Sequence, residues 1–272
     1  MSTLISSIRP SKALHRAIST YWSGIFNTTD APDFSQTVVP NGCIELIIHL
    51  SDDHCFLTKQ EAAWSKSPVF TLMGLYPQTY EVRFSARVSV FGIRFFPDGI
   101  QALFGVPPSE FLATYEDGTD VLGDGFGDLC NRLREIQAPA ERAVLADQYF
   151  TRLAEQRRSA PDHLNRTVQR IRQVEGRVSI PSLMEEIPLS PRQFQRQFKS
   201  RFGMTLRDYL RLTRITAIHR YLSAPQPDNL TSLAYDWDFA DQSHFIREFK
   251  YHVGTAPGKF LRAPDKYLVN VG

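Results

Sequence analysis

Residues 241–250 read DQSHFIREFK, with Phe245 and Phe249 four apart among Gln242, Ser243, Arg247 and Lys250. In a helix this spacing puts both rings on one face and spreads the polar and basic side chains over the rest of the turn. Alone, the decamer reads as a surface helix anchored by two aromatics. Its meaning changes when an earlier stretch is laid beside it. SLMEEIPLSPRQFQRQFKSRFGMT (182–205) aligns with SLAYDWDFADQSHFIREFKYHVGTA (232–256), so that Leu183 falls on Leu233, Phe194 on Phe245, Arg196 on Arg247, Phe198 on Phe249, Lys199 on Lys250 and Gly203 on Gly254, with one residue more in the second turn. Each copy reads as a short helix, a tight turn and a second helix whose arginine and lysine lie away from its aromatics, which describes a helix-turn-helix. Such a second helix is narrow enough to enter a major groove. Two units joined by one long helix can place two readers in successive grooves, roughly 34 Å apart on one side of B-DNA.

The residues between and around the copies carry matching punctuation. Asp162 can cap a helix with Leu164, Val168, Ile171 and Val174 on one face, and Gly176 can end it. IPSLMEEI (180–187) reads as a second short helix and Pro188-Leu189 as a tight turn; Ser190, with Pro191 in the first turn, starts a helix that Gly203 terminates. Thr205 caps a long helix through about Leu222, and Thr255 a last short one through Phe260.

Charge divides along the same line. Residues 1–159 hold 14 Lys+Arg against 18 Asp+Glu, whereas residues 160–272 hold 17 against 11; between 166 and 220 there are 12 basic residues and 4 acidic ones. A mildly acidic front half and a basic back half imply two domains, the second facing a polyanion. With 42% hydrophobic and 22% charged residues the chain reads as soluble and globular, and no apolar run approaches the ~18 residues of a membrane helix. The start, MSTLISSIRPSKALHR, lacks the apolar core of a signal peptide, so a cytoplasmic, membrane-free protein is expected. Cys43, Cys55 and Cys130 are an odd count without a CxxC and fit reduced thiols. A zinc site from Cys43, His49, His54 and Cys55 matches no common spacing.

The front half reads as strands first. TVVPNGCIELIIHL (37–50) has a turn at Pro40-Asn41-Gly42 and then an isoleucine-rich run, and YEVRFSARVSVFGIRFFPDG (80–99) alternates Val82, Phe84, Val88 and Val90 with polar residues. After Pro97-Asp98-Gly99 the period becomes helical up to about Glu155. The expected fold is α+β: a front domain over 1–155, mostly a sheet or barrel to about residue 99 and helical after it, a linker at QRRSAPD (156–162), and an all-α domain over 163–272 with two helix-turn-helix units joined by a long helix.

Residues 162–262 closely resemble the DNA-binding domain of AraC/XylS-type bacterial transcriptional regulators, whose signature DQSHFxRxFK…G…P runs here from Asp241 to Pro257. Two departures stand out: Asp238 where the family usually has glycine in the second turn, and Pro188 where it has glycine in the first. Asp can adopt the positive φ that glycine serves, and proline cannot. Residues 20–130 resemble, less specifically, an uncharacterised domain found ahead of such readers, through VPNGCIELIIHL, GLYPQTYEVRFSARVSVFGIRFFPDGIQALFGV and PPSEF.

By that resemblance Arg192, Gln195 and Arg196 approach bases in unit one, and Gln242, Ser243 and Arg247 in unit two. The chemistry agrees, since Arg can bridge O6 and N7 of G, and Gln can bridge N6 and N7 of A. Lys199 and Lys250 suit phosphate better, and His244 suits bracing of the helix start. The front domains of the family sense an effector or dimerise, so the partners implied are double-stranded DNA, a small-molecule effector, a second copy of the chain and RNA polymerase. On the strand after Gly42, Cys43, Glu45, Ile47 and His49 share one side, and Ile44, Leu46, Ile48 and Leu50 the other. If the second set fills the core, Glu45 and His49 face either solvent or a polar pocket. Tyr76, Tyr80, Arg83 and Arg94 are further pocket candidates. No nucleophile or metal cluster stands at a recognisable spacing, so neither catalysis nor a cofactor is expected. The alternative left open is an enzyme-like front domain, a small barrel tethered to DNA by the reader.

Overall fold

The computed structural model describes residues 2–29, 35–58, 63–157, 162–185, 187–223, 230–263 and 266–268. Of the expected linker, residues 158–161 lie outside the described residues. In chain order the strands are β1 (Ser2–Ile8), β2 (Ile18–Asn27), β3 (Ser35–Val38), β4 (Ile44–His49), β5 (Cys55–Leu57), β6 (Ser65–Lys66), β7 (Phe70–Met73), β8 (Tyr80–Phe84), β9 (Arg87–Phe95), β10 (Tyr115–Asp117) and β11 (Tyr267–Leu268). The helices are α1 (Pro97–Phe104), α2 (Gly118–Leu122), α3 (Asp124–Glu135), α4 (Pro139–Gln156), α5 (His163–Gln173), α6 (Ile180–Glu185), α7 (Pro191–Phe202), α8 (Leu206–Leu222), α9 (Leu230–Asp236), α10 (Gln242–Val253) and α11 (Pro257–Arg262), with a 3-10 turn at Pro108–Phe111.

The strands form two open sheets, not a closed barrel. One runs β1-β2-β9-β4-β7-β10 and the other β11-β3-β8-β5-β6, all neighbours antiparallel except β11, which lies parallel to β3. The isoleucine-rich strand β4 sits inside the first sheet, between β9 and β7. Its Ile44, Leu46 and Ile48 meet Phe126, Leu129 and Phe150 of the helices that cover that face. Its other face is turned to the second sheet, and the space between the sheets is filled by Trp22, Phe26, Val82, Phe84, Val88 and Val90. A strand covered on both faces has no solvent side. Glu45 and His49 are therefore 4% and 1% exposed, which removes the solvent alternative for them.

The apolar layer beneath the first sheet does not stop at α4. It continues through Leu164, Val168 and Ile171 of α5 into Phe194, Phe198 and Phe202 of α7 and Tyr209 of α8. A buried ion pair crosses the same junction: Arg172 of α5 donates to Asp98 of α1, Gln169 Nε2 donates to Asp98 Oδ2 at 3.2 Å, and the Arg172 guanidinium lies 3.6 Å over the Phe96 ring. The second unit keeps a core of its own, Ile215, Ile218, Leu222, Leu233, Trp237, Phe239, Phe245, Phe249, Val253 and Phe260, which the front half enters through Val39.

Local chemistry explains the helix ends. Asp162 Oδ1 accepts from Asn165 N–H, and Thr205 Oγ1 from Asp208 N–H. Ser190 and Gln193 form a reciprocal capping box. Gly176 follows α5 at φ 77°. The last helix starts one residue later than Thr255 would set it, with Ala256 as its extended N-terminal neighbour and Pro257 in the first turn.

Phe194 of the first unit and Phe249 of the second are both fully buried. Truncating either to Ala should cost about 3–5 kcal/mol of stability, read as a lowered denaturation midpoint in urea with an unchanged slope. An unchanged midpoint with lost DNA binding would mean that the helix faces are reversed.

Candidate nucleic-acid interface

The two reading units are superposable in their details. α7 and α10 are both 12 residues long, and each is capped by the residue 51 positions from its counterpart, Ser190 and Asp241. Asp241 Oδ1 accepts from His244 N–H at 2.7 Å. Each helix ends on a left-handed glycine, Gly203 at φ 75° and Gly254 at φ 74°, a conformation that a side chain would strain. The offset of 51 places Arg192 on Ser243, Arg196 on Arg247 and Lys199 on Lys250, and these six residues are exposed. Opposite them lie Phe194, Phe198 and Phe202 in α7, and Phe245, Phe249 and Val253 in α10, all fully buried. Gln195 and Gln242 are also exposed, so all eight residues expected at DNA lie on the outer faces of the two helices.

The two turns differ, as Pro188 and Asp238 implied. Asp238 adopts φ 56° and its carbonyl accepts from Arg214 Nη1 at 3.3 Å. Among its described residues the first turn has none at positive φ, and Leu189 N–H donates to Ile187 O at 2.8 Å. His244 braces its helix start: its ring packs edge-on to Phe239 at 5.4 Å and lies 3.8 Å from Glu248. Glu248 in turn pairs with Arg211 of α8 at 3.3 Å, which fixes the roll of α10 on the long helix.

Much of the basic charge between 166 and 220 is not available to a ligand. Arg172 pairs with Asp98, Arg201 with Asp162, and Arg220 with Glu175; Arg214 Nη2 donates to Gly176 O at 3.0 Å and its guanidinium lies 5.4 Å over Phe239. Among the described residues, Arg192, Arg196, Lys199, Arg247 and Lys250 enter none of the ion pairs. The two reading helices thus carry five exposed basic side chains that none of these ion pairs engages.

The front half grips the second helix at its C-terminal end, a contact with no sequence signal. Thr79 N–H donates to His252 O at 3.1 Å, Gln78 Nε2 donates to Tyr251 O at 3.3 Å, and His252 Nδ1 donates to Pro77 O at 2.6 Å. Gln78 and Thr79 thus border a groove that Arg247 and Lys250 line from the other side.

Of the front-half candidates, Arg94 donates to Glu45 in a pair buried on both sides, 5% and 6% exposed. Removing one partner of such a pair leaves a buried unpaired charge. His49 Nε2 shares a hydrogen bond with Ser67 Oγ at 3.0 Å, and burial pushes its pKa down to about 4, so the ring is neutral at pH 7. Tyr76 and Tyr80 pack ring to ring at 4.4 Å, and burial drives Tyr80 well above the usual phenol range. Glu45, His49 and Tyr80 line one cavity between the sheets, and Tyr76 lines a small neighbouring one with Glu45 and Tyr80. Arg83 is not with them, because the alternation of β8 turns it to the opposite face, 4.5 Å over Trp64. The three cysteines are free and buried.

These features can be set beside known proteins. Residues 6–117 match a domain of unknown function, DUF6597, and residues 183–263 match a helix-turn-helix domain. No protein of curated function matches the chain by sequence. Solved structures similar to it include ToxT from Vibrio cholerae, 12% identical over 96% of this chain and 98% of that one with a TM-score of 0.49. Unsaturated fatty acid bound ToxT from Vibrio cholerae is 10% identical over 96% and 95% with a TM-score of 0.48. The AraC-like transcriptional activator CuxR is 12% identical over 80% and 95% with a TM-score of 0.32.

Reading and holding can be separated by mutation. Arg196→Ala should cost about 1–3 kcal/mol on the true site and flatten the preference at one base position. Lys199→Ala should weaken all sequences alike and lower the slope of log K against log salt by about one. Binding to a site and its single-base variants at several salt concentrations decides between them, and a uniform loss in Arg196→Ala with base preferences intact would remove α7 from the groove. The chain carries an AraC-type helix-turn-helix domain at its C-terminal end behind a DUF6597 domain, the make-up of a DNA-binding transcriptional regulator.

Proposed function

We propose that the protein is a sequence-specific reader of double-stranded DNA that regulates transcription, and that its front domain controls the reader through a small molecule held between the two sheets. The observation that supports it best is the pair of equivalent helices, α7 and α10, each offering an exposed Arg–Lys face and anchored through a buried aromatic one. One 17-residue helix, α8, about 25 Å long at 1.5 Å per residue, joins the units. In this reading Arg192, Gln195 and Arg196 meet base edges in one groove, and Gln242, Ser243 and Arg247 in the next. Lys199 and Lys250 hold phosphate. The effector part rests on the cavity lined by Glu45, His49 and Tyr80, whose walls are shared by both sheets.

The test is a selection: genomic DNA fragments incubated with the protein and recovered with it over several rounds. The proposal expects fragments that share one sequence motif, and loss of that enrichment in an Arg196→Ala, Arg247→Ala double variant that melts like the parent. Recovered DNA without a shared motif would overturn sequence-specific reading.

A further inference from the structure

The cavity between the sheets is small and partly enclosed. Trp22, Phe26, Ile47, Leu57, Met73 and Phe84 form much of its wall, and Leu268, near the C-terminal end of the chain, completes it. Its volume is about 50 Å³. An apolar cavity of roughly 150 Å³ is what takes up a benzene-sized molecule, so the space as it stands is about a third of what such a ligand needs. Leu268 is one of the side chains that close this space, 8% exposed and packed among the residues between the sheets.

Leu268 arrives on a weak support. β11 is two residues long and lies parallel on the edge of the second sheet, with Tyr267 beside Thr37 and Leu268 beside Val38, and with Val39 N–H donating to Leu268 O at 3.4 Å. A pairing this short has little hydrogen-bond energy of its own and is held chiefly by the leucine it delivers. The same strand leads straight back to the second reader. Tyr267 packs on Phe260 of α11 at 5.0 Å, and Phe260 packs on Phe249 of α10 at 5.7 Å.

We propose that Leu268 is a plug, and that a small uncharged molecule of about aromatic-ring size binds between the sheets by taking its place, which unpairs β11 from β3 and loosens the second helix-turn-helix unit from the front domain. This inference rests on the reading of the cavity as an effector site. The ligand class follows from the wall. Phe26 and Phe84 stack at 4.3 Å and offer aromatic surface. The wall offers no free charge, because Glu45 is engaged by Arg94, and His49 is neutral and hydrogen-bonded to Ser67. A charged ligand would be left without a counter-charge there. The buried indole N–H of Trp22 has no acceptor among the described residues, so a single acceptor oxygen on the ligand is accommodated. The first unit is fused to the front domain by continuous core, whereas the second is joined through Val39, a hydrogen bond from Thr216 Oγ1 to Pro40 O, the 77–79 loop and β11. Release of the β11 tie acts on the second unit.

The experiment uses the full-length chain, acetophenone as the probe, and the exchange of the Val39 amide with solvent as the report on β11. In the parent protein, saturating acetophenone should speed Val39 exchange at least roughly tenfold and leave the amides of 44–49 unchanged. Leu268→Ala should bind acetophenone roughly tenfold more tightly than the parent, because the competition by the plug is gone. Binding to the parent with Val39 still protected, or equal binding to both proteins, overturns the plug and leaves the effector site standing. Binding to neither protein removes the effector site itself, and with it the plug. The exchange measurement on the parent needs no variant, so a poorly folding Leu268→Ala does not decide the outcome.

Discussion

The rest of the architecture depends on one continuous apolar contact, the core that runs from Ile44, Leu46 and Phe95 under the first sheet through Phe198, Phe202 and Tyr209. Because these side chains bury one another, the expected boundary at 156–162 separates stretches of chain without separating cores. The first reading helix is in effect an outlying element of the front domain. The second unit buries its own Phe245, Phe249 and Phe260 and touches the front half through narrow contacts. The two units are thus joined to the front half with unequal strength, one through continuous core and the other through narrow contacts, and the proposed effector control uses that difference.

Electrostatics sharpen the same picture. A basic stretch in a sequence is a statement about composition, and the fold decides which charges remain free. Arg172, Arg201, Arg211, Arg214 and Arg220 are drawn into ion pairs or carbonyl contacts that hold α5, α8 and α10 together. Of the basic residues left pointing outward, Arg192, Arg196, Lys199, Arg247 and Lys250 stand on equivalent turns of α7 and α10. Their charge is presented on surfaces that a duplex can reach.

How far the sequence could be read follows from where each element takes its instructions. The back half is locally encoded: caps at Asp162, Ser190, Thr205 and Asp241, glycines at 203 and 254, and aromatic pairs four apart are signals within one helical turn, and the fold uses them as they stand. Asp238 at positive φ belongs here too. The front half depends on partners distant in sequence. The alternation of Ile44 to His49 identified a strand, but a half-polar face reads the same whether it meets water or a second sheet, so the burial of Glu45 and His49 was not legible. The pairing of β1 with β2 and of β11 with β3, and the grip of Pro77 to Thr79 on the end of α10, consist of hydrogen bonds to backbone groups of another segment. Such bonds leave no periodicity to find. Among the six pocket candidates, Arg83 and Arg94 parted from the others: Arg83 alternates with Val82 and Phe84 on β8, and Arg94, though paired with Glu45, lines a separate cavity with Cys43 and Tyr209.

The central claim is that two equivalent helices enter successive major grooves on one side of a duplex. It is tested most directly by hydroxyl-radical footprinting of the full-length protein on a selected site. The account predicts two protected patches centred about 10–10.5 base pairs apart on the same face, with the patch under α10 fading in Arg247→Ala while the patch under α7 persists. A single protected patch that fades as a whole in that variant would contradict it.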